Sequence, residues 1–130
     1  MRFQELTELV IGAAIEVHRV LGPRLLENAY EECLCHELHL RELRFERQVS
    51  LPVRYKGVNL ECGYRIDIIV EGRLILELKT VEKLLPIHDA QLLTYLKLTN
   101  KRLGLLLNFS VPTMRQGIRR IVNNFDPELN

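Results

Sequence analysis

The chain has 130 residues, of which 47% are hydrophobic and 27% charged, a composition typical of one compact domain with its own core. Eighteen lysines and arginines against 17 aspartates and glutamates give a formal charge of +1, which excludes a histone-like DNA-binding protein and an acidic tail. We therefore predict a single domain over residues 1–130, in which any affinity for nucleic acid arises from local patches.

The cysteines and the N-terminal segment bear on the cellular compartment. Cys33, Cys35 and Cys62 are odd in number and lack CxxC spacing, so the sequence favours neither a disulfide framework nor a zinc ribbon. Charged residues interrupt the apolar N-terminal segment, unlike the core of a signal peptide, and no apolar run reaches the roughly 18 residues that span a bilayer. We expect a soluble, cytoplasmic protein with no membrane partner.

Apolar residues at helical spacing predict two helices in the first third of the chain. The first covers about residues 3–20, where Gly22-Pro23 then ends the pattern. The second covers about residues 25–43, with the same period in a more charged background. Together they predict a helical hairpin.

The hydrophobic period changes from helical to two after the second helix. Val49, Leu51 and Val53 alternate with polar neighbours and predict an antiparallel strand region. The apolar runs 64–70 and 74–80 follow, and a short loop with a glycine separates them. These two runs predict a β-hairpin.

The last third of the chain completes a mixed pattern of helices and strands. Pro86 begins a helix to about residue 99, and the uncharged apolar run over 103–109 predicts an interior strand, parallel to its neighbour after a crossover helix. A last helix is predicted over about residues 114–124. The fold class is therefore α/β or α+β, a mixed central β-sheet flanked by helices.

Three charged residues interrupt the apolar hairpin strands, namely Asp67, Glu77 and Lys79. A carboxylate among covered strands is costly unless it is paired or binds a metal. Glu77 and Lys79 are two residues apart and share one face of a strand. A two-residue loop at 71–72 would pair residue 67 with 76, whereas a three-residue loop at 71–73 would pair it with 77.

With the three-residue loop, the two carboxylates converge as oxygen ligands for Mg²⁺ or Mn²⁺. The ammonium of Lys79 could then orient a water molecule or stabilise negative charge on a phosphoryl group. This arrangement predicts metal-assisted hydrolysis of a phosphodiester. The alternative is a salt bridge on an edge strand, which is the commoner origin of the bare pattern.

Asp67 followed by Glu77-Leu78-Lys79 on the next strand resembles the core of the PD-(D/E)XK nuclease superfamily. Three further segments resemble the bacterial GxxExxY family, whose members are similar to that superfamily: HRVLGP at 18–23, LLENAY at 25–30 and LLPIHDAQ at 84–91. The resemblance spans nearly the whole chain. Arg24 stands where a glycine is expected, three residues before Glu27, which leaves the conformation of that loop open.

The resemblance implies a restriction-endonuclease-like PD-(D/E)XK core and Mg²⁺ (or Mn²⁺) as the cofactor. Asp67 and Glu77 would be catalytic metal ligands and Lys79 the catalytic lysine. Glu27 would be an additional catalytic and metal-binding acid, and His18, as in RecB-type exonucleases, would serve the metal site. From spacing alone, an exposed helix residue is the favoured interpretation of Glu27, whereas His18 could equally stabilise the C-terminus of the first helix.

The resemblance and the pattern of positive charge each predict substrate-binding residues. Gln91 and Tyr95 share a helical face and resemble the QxxxY pair of RecB-type nucleases, which positions substrate and the catalytic lysine. Arg115 and Arg119, with Arg120, would give the last helix a basic side that follows a phosphate backbone, although ordinary solvated charge explains them nearly as well.

The function predicted from these observations is a metal-dependent nuclease whose partner is nucleic acid, with DNA as the expected substrate. A domain of this size offers only a short cleft, so a homodimer is one way to hold a duplex. The alternative function is a catalytically silent module that keeps the nuclease fold and binds nucleic acid or a protein partner.

Overall fold

Helices cover both faces of a central β-sheet. The computed structural model describes residues 1–124, so residues 125–130 of the predicted domain lie outside the described residues. The helices are α1 (Phe3–Leu21), α2 (Glu27–Leu40) and α3 (Pro86–Thr99). The strands are β1 (Phe45–Ser50), β2 (Val53–Tyr55), β3 (Val58–Leu60), β4 (Arg65–Val70), β5 (Leu74–Lys79), β6 (Leu103–Asn108) and β7 (Ile118–Val122).

The main sheet has five strands in the order β1-β4-β5-β6-β7, and β2 pairs with β3 in a separate hairpin. Strands β5 and β6 are parallel and are connected through α3, while the other neighbours in the sheet are antiparallel. The prediction of a mixed sheet flanked by helices is confirmed, as is the interior parallel position of the apolar run that forms β6.

The two faces of β5 pack against different helices. Leu74, Leu76 and Leu78 join the core that α1 and α2 cover. Ile75, on the other face, packs in the core beneath α3. Because side chains alternate along a strand, Glu77 and Lys79 follow Ile75 toward the α3 side of the sheet.

The helical hairpin is confirmed, with a shorter second helix than the sequence predicts. Its last residue is Leu40, because Glu42 adopts a left-handed φ of 59° and Leu43 donates its N–H to the carbonyl of Leu38 at 3.0 Å. No helix within residues 1–124 combines the length and apolar character that crossing a bilayer demands.

The predicted last helix over residues 114–124 is wrong. Met114–Gly117 form a single 3₁₀ turn, and Ile118–Val122 form β7, which pairs antiparallel with β6. Ile118 and Ile121 have helical spacing, but both are β-branched, and the free edge of β6 offers backbone partners that an isolated helix lacks. Arg119 and Arg120 are adjacent in a strand and point to opposite faces, so the basic helix side does not exist.

Gly117 is required where the 3₁₀ turn passes β6. A Cβ atom at this position would lie 2.0 Å from the backbone oxygen of Asn108. We expect Gly117→Ala to lower the free energy of unfolding by about 2 to 3 kcal/mol, measured by urea denaturation. Gly12→Ala is the matched control, because a Cβ on this helical glycine would meet nothing within 4 Å. The control should stabilise by about 0.5 to 1 kcal/mol, and equal effects of the two substitutions would contradict the packing argument.

Candidate active site

The loop between β4 and β5 sets the position of the candidate residues. Val70 pairs with Leu74, so the loop has three residues, 71–73. Its first two residues adopt left-handed backbone, with φ of 53° at Glu71 and 65° at Gly72. The register continues to the pair Ile68–Leu76, and one further step places Asp67 opposite Glu77. The loop is therefore the one that the metal-site interpretation requires.

Strands β4 and β5 part at the Asp67–Glu77 position, where side chains take over the backbone hydrogen bonds. The N–H of Asp67 donates to Oε2 of Glu77 at 3.1 Å. The N–H of Leu78 donates to Oδ2 of Asp67 at 2.8 Å. Each carboxylate thus binds the backbone of the opposite strand, and the two acidic groups are held beside each other at the fork.

Glu77 is buried, with 4% of its surface exposed. Burial, followed by the negative charge of Asp67, raises the pKa of Glu77 from its ordinary value of 4.5 to about 9. The positive charge of Lys79 opposes this rise but does not cancel it. Burial beside Asp67 therefore favours the protonated form of Glu77, because a second negative charge at this position has too little compensation from the chain itself.

Glu27, at the first turn of α2, approaches the same fork from the opposite face of the sheet. Partial desolvation, followed by the negative charge of Asp67, raises the pKa of Glu27, and Lys79 acts in the other direction. The charges of Asp67 and Lys79 therefore act on both Glu27 and Glu77. The structure places Asp67 and Glu77 side by side, and the membership of Glu27 in one site with them stays a prediction.

A polar network that sequence reasoning missed connects α2 to Asp67. Buried Glu31 accepts hydrogen bonds from Arg47 and from the Gln48 amide, each at 2.8 Å. The same Gln48 nitrogen lies 3.5 Å from Oδ1 of Asp67. Gln48 has a left-handed φ of 49° within β1, a conformation that costs about 1 to 2 kcal/mol for a residue with a Cβ.

Arg47 anchors this network to α2. It also contacts Glu32 at 2.9 Å, and its hydrogen bonds to Glu32 and Glu31 raise the pKa of Arg47. In the sequence, this network is visible only as two acidic residues, Glu31 and Glu32, one helical turn after Glu27, and as the polar residue Gln48. Neither signal identifies a partner, because the contacts join residues about 16 positions apart.

Tyr30 fixes the loop that precedes Glu27. Its hydroxyl donates to the carbonyl of Gly22 at 2.6 Å and accepts from the N–H of Leu25 at 3.1 Å. Its ring stacks on Phe109 with centroids 4.5 Å apart. Arg24 adopts a left-handed φ of 71°, so the arginine takes the backbone conformation for which a glycine is suited.

Tyr30→Phe should loosen this loop while keeping the aromatic stack. Removing the hydroxyl leaves the carbonyl of Gly22 and the N–H of Leu25 without this partner, and we expect a loss of about 1 to 2 kcal/mol in the free energy of unfolding. Urea denaturation measures the effect, with Tyr55→Phe as the control because Tyr55 is 58% exposed. Equal stability of Tyr30→Phe and wild type would contradict the role of the hydroxyl.

Asn108, at the end of β6, holds the segment that follows Lys79. It is 2% exposed, and its amide donates to the carbonyl of Val81 at 2.8 Å while its oxygen accepts from the N–H of Val81 at 3.1 Å. The N–H of Phe109 also donates to the carbonyl of Lys79 at 2.9 Å. The sequence indicates this arrangement only through the asparagine at the end of the apolar run 103–107.

Gln91 and Tyr95 lie on the face of α3 that approaches the fork. The Gln91 amide donates to the hydroxyl of Tyr95 at 3.0 Å. Burial, followed by the negative charge of Glu77, raises the pKa of Tyr95. The predicted pair is therefore joined directly and stands beside the carboxylates, although its role with substrate remains a prediction.

The other predicted site residues have different surroundings. Nε2 of buried His18 hydrogen-bonds the carbonyl of Val111 at 2.8 Å, so its role as a metal ligand stays a prediction. Arg119, on β7, donates from Nη1 to both oxygens of Asp89, at 2.9 and 3.0 Å. Arg115 is exposed in the 3₁₀ turn.

The donor set at the fork fits a hard divalent cation. Asp67 and Glu77 offer carboxylate oxygens, which Mg²⁺ and Mn²⁺ prefer, and a cation could replace the proton that the raised pKa of Glu77 retains. Within residues 1–124, no three histidine, cysteine or acidic side chains are grouped so that they could hold a metal ion. Water and substrate oxygens would have to complete the coordination.

Comparison with known proteins identifies a family for the chain. The family model of the PD-(D/E)XK nuclease superfamily matches residues 4–121. No curated protein matches the chain. The chain is also similar to a solved structure, the "Crystal structure of SSO0001", with 17% identity and a TM-score of 0.46 over 95% of this chain and 81% of that chain. On the strength of the family match, the chain belongs to the PD-(D/E)XK nuclease superfamily.

Proposed function

We propose that this protein is a nuclease that hydrolyses phosphodiester bonds in DNA with the help of Mg²⁺ or Mn²⁺. The observation that carries the proposal is the fork between β4 and β5, where buried Glu77 stands against Asp67 and Lys79 shares its face. Structural ion pairs bring opposite charges together in equal number, whereas this site has an excess of carboxylates. Such an excess supports a cation site over a salt bridge.

The chain's own residues have distinct roles in this proposal. Asp67 and Glu77 hold the cation, Glu27 adds a third carboxylate from α2, and Lys79 orients the attacking water or stabilises charge on the phosphoryl oxygens. A bound Mg²⁺ or Mn²⁺ would polarise the phosphate and lower the pKa of a water molecule. Gln91 and Tyr95 would contact the substrate beside the carboxylates.

Three finer assignments belong to the same proposal. Membership of the bacterial GxxExxY family is supported by the Glu27–Tyr30 spacing and by the Tyr30 hydroxyl, which is hydrogen-bonded to Gly22 and Leu25 in the loop before Glu27. The free thiols of Cys33, Cys35 and Cys62 support a cytoplasmic location. A homodimer would enlarge the cleft, and a mass measurement that shows only monomer at working concentration would count against it.

The decisive experiment incubates the purified chain with labelled single- and double-stranded DNA and RNA, in Mg²⁺, in Mn²⁺ or in chelator. We expect metal-dependent cleavage of DNA, with Asp67→Asn as the inactive control. Cleavage confined to RNA would contradict the substrate assignment. If no substrate is cleaved and calorimetry detects no binding of either metal, the protein is instead a silent module of nuclease fold.

A further inference from the structure

A groove of about 600 Å³ lies beside the candidate active site, between α3 and the start of the β2–β3 hairpin. We call it the α3 groove. Its walls are Val53, Tyr64, Ile87, Ala90, Gln91, Thr94, Tyr95 and Leu98. Among these lining residues, none carries a charge. Tyr64, Ile87 and Leu98 leave 45, 67 and 49% of their surfaces exposed. The groove is therefore open, largely apolar and partly aromatic.

The α3 groove lies on the same side of the sheet as Glu77, because Tyr95 packs in the core with Ile75, the neighbour of Glu77 on that face of β5. Tyr95 forms part of its wall, and the charge of Glu77 acts on the Tyr95 hydroxyl. Tyr64 meets Tyr95 edge to face, with ring centroids 6.3 Å apart. A ligand seated against Tyr64 thus lies beside Tyr95, on the side of the sheet where Glu77 lies.

The side chains that line the α3 groove suit a nucleobase better than the phosphate backbone. Neutral side chains give no counter-charge to a phosphate, so the groove does not suit the backbone. A nucleobase has an apolar face that packs on aromatic rings and polar edges that hydrogen-bond to amides and hydroxyls. Tyr64 supplies the ring, while Gln91 and Thr94 supply the polar groups.

We infer that the α3 groove binds an unpaired nucleobase next to the scissile phosphate, and hence that the preferred substrate is single-stranded or locally unpaired. The inference rests on the proposed nuclease function and adds the class of substrate. A paired base is stacked on both faces inside a duplex and cannot enter a groove without leaving its stack. An unpaired base enters without that cost.

The test measures binding in chelator, where cleavage does not interfere. The probes are a fluorescent oligothymidylate, an abasic oligonucleotide of equal length and phosphate number, and a duplex of that length. Wild type should bind the oligothymidylate at least about tenfold more tightly than the other two probes. Tyr64→Ala and Leu98→Ala should each weaken oligothymidylate binding by about tenfold and leave abasic binding unchanged. Tyr55→Ala is the matched control, because Tyr55 is exposed but does not line the groove.

Other binding results, or a dimer that covers the groove, would overturn the inference. Equal loss of affinity for the oligothymidylate and the abasic probe would show contact with the backbone alone, and duplex binding as tight as oligothymidylate binding would exclude the unpaired base. A dimer in solution that Leu98→Ala dissociates would show that a second copy covers the groove. Binding is measured in chelator and cleavage separately in Mg²⁺ or Mn²⁺, so the two proposals can fail independently. Base-dependent binding with no cleavage would refute the nuclease proposal alone. Cleavage without base-dependent binding would refute only this inference.

Discussion

Replacing Lys79 with alanine is expected to slow metal-dependent cleavage by about a hundredfold to a thousandfold, the usual effect of removing one group that stabilises charge in a transition state. The positive charge of Lys79 acts on both Glu27 and Glu77, and in the proposed mechanism it stabilises the negative charge that develops on a phosphoryl group bound there. Initial cleavage rates in saturating Mn²⁺ measure the effect.

The same variant separates the lysine from the metal ligands. Lys79→Ala should still bind Mn²⁺ in calorimetry, because it keeps every carboxylate, whereas Asp67→Asn should lose both binding and cleavage. Lys83→Ala is the matched control, since Lys83 is exposed in the loop four residues later. Wild-type rates in Lys79→Ala would remove the lysine from the mechanism.

The strands and the shared face of the charged residues could be predicted because both depend on local patterning. Alternation of Leu76, Glu77 and Leu78 determines which side chains point together, whatever surrounds the strand. The predicted bounds of α1, α3 and the hairpin strands differ from the observed ones by no more than one residue. The convergence of Asp67 with Glu77 remained open, because a loop of either length fits a segment containing one glycine.

The prediction of a C-terminal helix was wrong because the structure of this segment depends on its pairing with β6, which lies outside the segment. The segment Ile118–Val122 completes the open edge of β6, and nothing within the segment reveals that the edge is free. Gly117 was the available clue, since a glycine before a β-branched run permits a close backbone approach.

The residues that orient the candidate active site could not be identified from the sequence either. Glu31, Gln48 and Asn108 each act through contacts with residues 16 or more positions away. Sequence spacing reports neighbours on one helix or strand, so it can nominate a ligand such as Asp67 but not the amide that lies beside it. Buried polar side chains next to charged ones become informative only when the fold is known.

Glu77→Gln is expected to abolish cleavage and, without metal, to stabilise the protein at alkaline pH. Folded wild type keeps the Glu77 proton up to a pKa of about 9, whereas the unfolded chain loses it near 4.5. Unfolding therefore releases a proton throughout this window. The contribution of the protonated carboxyl to stability is fully present below the lower value and falls as pH rises, by up to about 1.4 kcal/mol for each pH unit.

Urea denaturation in chelator between pH 5 and 9 measures this slope, which Glu77→Gln should flatten and the exposed-site control Glu82→Gln should leave unchanged. Mg²⁺ or Mn²⁺ should restore the stability of wild type at the alkaline end, because the cation replaces the proton between the two carboxylates. The same addition should do little for Glu77→Gln. If the free energy of unfolding of Glu77→Gln falls with pH as steeply as that of wild type, the proton is held by another group. The proposal that a cation binds between Asp67 and Glu77 would then lose this support.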